Sequence, residues 1–202
     1  TKAIRFSQTG GADVLALADI ALAPPSEGEA RVRHTAIGVN FIDIYHRSGL
    51  YKVPLPSGLG LEAAGVVEAV GPGVTRFKPG DRVAYASGPI GAYSEAQNVN
   101  ANRAVKVPEG VSDELAAAVL LKGLTTHYLL RRTYKVKSGD TILFHAAVGG
   151  VDRDSFSQML FGERPHLSLV AVRAQNEANA GIFGDQLGQM RPQLERLVQS
   201  AL

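Results

Sequence analysis

The stretch Thr141-Ile142-Leu143-Phe144-His145-Ala146-Ala147-Val148-Gly149-Gly150-Val151-Asp152 holds the residues most suited to chemistry. Its apolar run reads as a buried strand, and Gly149 and Gly150 as the tight turn that follows. In a dinucleotide-binding βαβ unit, such a turn lets backbone N–H groups approach a pyrophosphate, helped by the N-terminus of the next helix. Asp152 stands where a third glycine would complete the pattern. A carboxylate suits a helix N-terminus, but beside a pyrophosphate it repels, and its side chain obstructs close approach.

Other chemistry is bounded by composition. The chain has no cysteine, which excludes thiol nucleophiles, disulfides and thiolate zinc sites. His34, His46, His127 and His166 show no ligand spacing, and His145 lies in an apolar run where a hydrogen-bonded core histidine is the commoner case. Asn40 and Asp43 read equally as turn formers at a strand end or as site residues. Tyr45 and Tyr51, taken singly, read as half-buried aromatics. The net charge is +2 with 21 Lys and Arg spread along the chain, so no nucleic-acid partner is expected. No apolar run reaches transmembrane length, and the first residues alternate like a strand rather than a signal peptide. A cytoplasmic protein that engages no membrane is the expectation.

The elements that must position these residues change character along the 202-residue chain. Up to about residue 110 the pattern is short strands cut by Gly/Pro turns: Ala30–Val39, Ala63–Gly71 closed by Gly71-Pro72-Gly73, the Pro79-Gly80-Asp81 turn leading to Tyr85, and Ala101–Val107. Many short strands of this kind predict a β-barrel or partly open sandwich. Ser112-Asp113-Glu114 is a helix start with a hydroxyl cap and early acids. Ala116–Leu121 continues that helix, and Leu124–Tyr134 reads as a second one. Leu167–Ala174 reads as a strand in the tail, and Leu187, Met190, Leu194, Leu197 and Val198 fall at the spacing of an amphipathic helix.

Taken together, several segments resemble one family: Ala36-Ile37-Gly38-Val39-Asn40-Phe41-Ile42-Asp43-Ile44-Tyr45, Arg47-Ser48-Gly49-Leu50-Tyr51, Pro56-Ser57-Gly58-Leu59-Gly60-Leu61-Glu62, Leu121-Lys122-Gly123-Leu124-Thr125, and Phe144–Val151. They look like the NADPH-dependent quinone oxidoreductases, the zinc-independent branch of the medium-chain dehydrogenase/reductase superfamily, over residues 2–151. The resemblance implies an α+β architecture, a GroES-like β-barrel followed by helices and the start of a truncated Rossmann-type α/β unit. Its expected boundaries are 1–111 for the barrel, 112–151 for the start of the dinucleotide-binding domain and 152–202 for a divergent tail of one strand plus an amphipathic helix.

The implied activity is hydride transfer from NADPH to a quinone without zinc. Asn40 and Tyr45 would be catalytic. Phe41, Ile42, Asp43, Ile44, Tyr45, Lys122, Thr125, Tyr128, Gly149, Gly150 and Val151 would contact the cofactor, and two copies would pair as a homodimer. Zinc-dependent relatives carry Gly-His-Glu where this chain has Gly60-Leu61-Glu62, and leucine cannot ligate a metal. Glu62 is then expected to be a buried structural carboxylate paired with an arginine or a backbone group. A βαβ unit alone takes roughly 30 residues or more, so residues 152–202 are too few for a full Rossmann domain. That leaves a second expectation beside the enzyme: a catalytically inactive GroES-like binding or interaction module in a truncated or chimeric chain.

Overall fold

Alternation builds the centre of the fold. In β3 (Glu29–Gly38), Ala30 and Val32 point inward and are fully buried while Arg31 and Arg33 point away, the two-residue period of a half-buried strand. β3 pairs antiparallel with β5 (Glu62–Val70) on one side and with β7 (Ala96–Asn100) on the other. Next to β5 lies β6 (Arg82–Tyr85), and next to that β8 (Ala104–Lys106), giving the order β7-β3-β5-β6-β8. Register shifts between Arg31 and Val32 and between His34 and Ala36 bend β3, as bulges do. A second sheet joins β1 (Lys2–Phe6) to β2 (Ala16–Asp19) and β4 (Ser57–Gly58). The buried core mixes small and large side chains, with Ala30, Ala63 and Ala104 beside Val67, Phe77 and Tyr85. Burying a Val- or Phe-sized side chain contributes about 1.5–3 kcal/mol.

The structure is a computed structural model. It describes residues 1–137 and 140, together with the backbone of 141–144 and 168–171. The chain forms two compact units, Thr1–Leu121 and a second beginning at Lys122.

Helix α1 (Phe41–Ser48) follows β3 directly. No helix is expected there from turn chemistry alone, because Asn40 and Asp43 read as turn formers. They do form a local turn, and it becomes the first turn of a helix. Helix α2 runs from Asp113 to His127, and the six residues Tyr128–Thr133 continue it as a π-helical segment. The Tyr134 N–H reaching back to the Leu129 carbonyl at 3.0 Å is the wider i→i−5 bond of that segment. The expected break between two helices near Gly123 is therefore absent: a single glycine weakens a helix by only about 1 kcal/mol, and buried Ala116, Ala117, Leu120 and Leu130 hold the flanking turns. Ser112 caps α2, its hydroxyl accepting from the Leu115 N–H at 3.2 Å. Arg82 and the Thr35 hydroxyl hold Asp113 at 2.6 Å each. The expected strand at Ala101–Val107 is shorter, since Ala101–Arg103 form a 3₁₀ turn and only Ala104–Lys106 pair.

Beyond α2, β9 (Thr141–Phe144) pairs in parallel with β10 (Ser168–Ala171), in register from Thr141–Ser168 to Phe144–Ala171. Parallel pairing needs a crossover of a dozen residues or more, and residues 145–167 provide the length. The strand expected within Leu167–Ala174 is thus present at its centre. The amphipathic helix expected around Leu187–Leu197 lies outside the described residues.

Candidate functional site

Helix α1 is built inside out. Its buried residues are Asp43 and His46, 3% and 7% exposed, whereas Phe41 and Ile44 are 69% and 42% exposed. A surface helix ordinarily turns its apolar stripe to the core. Here the sequence Asn40-Phe41-Ile42-Asp43-Ile44-Tyr45-His46 puts the polar side chains one turn apart on the buried side, at 43 and 46, where Asp43 meets the Tyr93 hydroxyl. The apolar ones are left to face outward. Val39, just before the helix, is 73% exposed and extends the apolar surface.

Asn40 sets the helix start. Its backbone is extended, with φ −131° and ψ 149°, and its N–H donates to Asp43 Oδ2 at 2.9 Å, the return half of a capping box. Its side-chain amide reaches away from the helix and donates to Glu62 Oε2 at 2.8 Å. Glu62 is fully buried, and its Oε1 accepts the Leu121 N–H at 2.6 Å. The backbone partner expected for this carboxylate is present, and Asn40 is a second one. A charge-assisted pair of this kind is stronger than a neutral hydrogen bond. Gly38 completes the corner, because a Cβ there would collide with the Ala117 carbonyl oxygen and the Glu62 carboxylate.

Tyr93 belongs to this cluster. Its hydroxyl donates to Asp43 Oδ2 at 3.0 Å, and its ring occupies the space a Cβ on Gly60 would need. Gly60 has φ +89°, a backbone conformation that suits glycine. Burial, with the Asp43 charge second, pushes the Tyr93 phenol well above its ordinary range, so it stays a donor at neutral pH. Nothing local in the sequence singles out Tyr93. It lies in a loop and meets Asp43 only through the fold.

The aromatic residues form a connected group. Phe41 packs edge-on to Tyr45 at 5.2 Å between ring centres, Tyr45 to Tyr51 at 5.2 Å, and Tyr51 to His46 at 6.2 Å. Gly49, at φ 85°, ends α1 and turns the chain so that Tyr51 folds back, its N–H on the Tyr45 carbonyl at 3.1 Å. Asn40, Phe41, Ile42, Asp43, Ile44 and Tyr45 therefore share one short helix and its cap.

Lys122, Thr125 and Tyr128 lie in the second unit at three-residue spacing along α2 and into the π-helical segment. That spacing sets them along one stripe. Thr125 and Tyr128 are exposed and Lys122 is half-buried. Gly149, Gly150 and Val151 lie outside the described residues, as does Asp152. Among the described residues no group of three or more His, Cys, Asp or Glu side chains could hold a metal ion, and no helix is long and apolar enough to cross a membrane.

Residues 26–109 match the alcohol dehydrogenase GroES-like domain. Over 151 residues the chain is 61% identical to a quinone oxidoreductase of Pseudomonas aeruginosa, covering 74% of this chain and 46% of that protein. The matched stretch belongs to the quinone oxidoreductases of the medium-chain dehydrogenase/reductase superfamily. Quinone oxidoreductase 1 of Escherichia coli is 54% identical over 149 residues, which are 73% of this chain and 46% of that protein. Among solved structures, the quinone oxidoreductase of Escherichia coli complexed with NADPH superposes with a TM-score of 0.80 at 48% identity, covering 85% of this chain and 52% of that one. That of Pseudomonas syringae pv. tomato gives 0.83 at 51% identity over 93% and 56%. The chain spans about half the length of the relatives it matches.

Proposed function

We propose that the chain carries the reacting end of an NADPH:quinone oxidoreductase, one that transfers hydride to a quinone without zinc in a cytoplasmic setting. The observation that supports this reading most directly is the inversion of α1. Exposed apolar side chains beside a polar helix cap make a poor monomer surface and a good ligand surface. Val39, Phe41 and Ile44 offer apolar contact, and Asn40 stands at its edge. That combination fits a nicotinamide, a flat ring bearing a carboxamide.

In this reading Phe41, Ile42, Ile44 and Tyr45 pack against the nicotinamide and the acceptor ring, and Asp43 and Asn40 fix the helix that presents them. Lys122, Thr125 and Tyr128 are further candidate cofactor contacts. Gly149, Gly150 and Val151 meet its pyrophosphate through backbone groups. Bound NADPH supplies the hydride. Glu62 orients Asn40, because both its oxygens already accept hydrogen bonds from the protein. A quinone suits such a site, since its carbonyls accept electrons without strong polarisation by a metal.

The test is a titration of the full chain with NADPH followed by nicotinamide fluorescence, then addition of 1,4-benzoquinone while the absorbance of the reduced cofactor is recorded. Saturable binding with quinone-dependent oxidation is expected. An unchanged fluorescence at high cofactor would overturn the enzyme reading in favour of a non-catalytic GroES-like binding module.

A further inference from the structure

Helix α1 buries two polar side chains on one face, and each keeps one atom without a protein partner. Asp43 Oδ1 and His46 Nδ1 are both out of contact with solvent and neither makes a hydrogen bond within the protein. The other Asp43 oxygen is fully used, by the Asn40 N–H at 2.9 Å and the Tyr93 hydroxyl at 3.0 Å. Unpaired buried groups are rare in folded proteins because each one loses its hydration without replacement. Two of them on adjacent turns of one helix point to a shared partner.

We propose that an internal water molecule binds between Asp43 and His46. Residues three apart on a helix hold their Cβ atoms about 5–6 Å apart. Side chains on one stripe can therefore present two polar atoms to a single water, which bridges them with two hydrogen bonds of about 2.8 Å. The chemistry selects the ligand. An ionised carboxylate only accepts, so the ligand must donate to Oδ1, and imidazole Nδ1 either donates or accepts depending on tautomer. Water does both. A metal ion would need more ligating side chains than this pair, and among the described residues no group of three or more is available.

The water completes a chain from the Tyr93 hydroxyl through Asp43 to His46, along the buried side of α1. It ties the second turn of the helix to the first, where Tyr93 and Glu62 already hold the cap. The His46 ring lies 6.2 Å from that of Tyr51, which in turn lies 5.2 Å from Tyr45, so the water site adjoins the aromatic group. The site stands independently of whether the chain binds NADPH.

A crystal structure of the full chain at high resolution tests this directly, with an ordered water expected within hydrogen-bonding distance of both Asp43 Oδ1 and His46 Nδ1. In solution, a water-selective nuclear Overhauser experiment on histidine-labelled protein is expected to show a long-lived water at the His46 ring, lost in His46→Leu. The thermal midpoint losses of Asp43→Asn and His46→Leu should not add in the double variant, since either change alone releases the water. A direct Oδ1–Nδ1 hydrogen bond, a gap without density, or fully additive losses would overturn the proposal. The wild-type crystal structure decides the matter even if a variant fails to fold.

Discussion

At the scale of single residues, Glu62 shows how one side chain keeps its place when its chemistry changes. In zinc-dependent relatives, as the resemblance implies, the neighbouring position is a histidine ligand; here it is Leu61. The carboxylate serves as a buried acceptor for Asn40 and Leu121. Glu62→Gln brings a donor amide against one of those two N–H groups, and the expected loss is about 2 kcal/mol, measured by urea denaturation. Tyr93→Phe removes one hydroxyl from a half-buried contact and is expected to cost about 1 kcal/mol in the same assay. An unchanged midpoint would show that Asp43 does not depend on Tyr93.

His34 adds a residue-scale pH effect. Its Nδ1 donates to the Ser94 carbonyl at 2.7 Å and its Nε2 meets the Tyr85 hydroxyl at 2.9 Å. Burial lowers its pKa below the ordinary value, only partly offset by the carbonyls of Ser94 and Ala92. The unfolded chain therefore takes up this proton first as pH falls. The stability that neutral His34 contributes is full above its unfolded pKa of about 6.5 and is lost as pH drops from there through the folded value. His127 is shifted in the same direction by burial and by Arg131 and Arg132, so the test compares variants. The thermal midpoint of His34→Gln should fall less steeply between pH 7 and pH 5 than that of the wild type. Equal slopes would exclude His34 as a contributor.

At the scale of elements, the inverted helix α1 separates stability from binding. Phe41 is 69% exposed, so Phe41→Ala should change folding stability by no more than about 0.5 kcal/mol, apart from its edge contact with Tyr45. The same change removes apolar surface from the proposed ligand face. NADPH or quinone affinity, where the wild type binds, is expected to fall about tenfold, equivalent to roughly 1.4 kcal/mol. A large stability loss with intact binding would mean that Phe41 belongs to the core of the fold. Sequence patterning passes over this helix because the period of its apolar residues points away from the core, and because Asn40 and Asp43 carry turn chemistry whether a strand or a helix follows. The helix is decided by Asp43 finding Tyr93, which lies far along the chain and shows no local signal.

At the scale of the whole molecule, the chain continues past α2 into a parallel pair of strands. β9 gains a parallel neighbour, β10, from the tail, so the first strand of the second unit does not stand alone. Asp152, outside the described residues, offers a separate probe. If the chain binds NADPH weakly, Asp152→Gly should tighten binding in the fluorescence titration by removing a negative charge next to the pyrophosphate. No change would show that the glycine turn is not what limits binding.

Local patterns alone made several features legible: the alternation of β3, the glycine turns after β5 and before β6, the Ser112 cap, and the strand in the tail. Each depends on residues within one turn or one strand, so the relevant interactions are already written side by side. The quinone oxidoreductase resemblance was legible for a related reason, since ordered short motifs survive without knowledge of their contacts. What only the tertiary structure decided is the use made of those motifs. Asn40 turns to Glu62, Asp43 to Tyr93, and the apolar face of α1 to solvent, through hydrogen bonds that join residues 22 and 50 positions apart. Such bonds form only where the sheets bring distant segments together, and burial then makes leaving them unpaired too costly to permit any other arrangement.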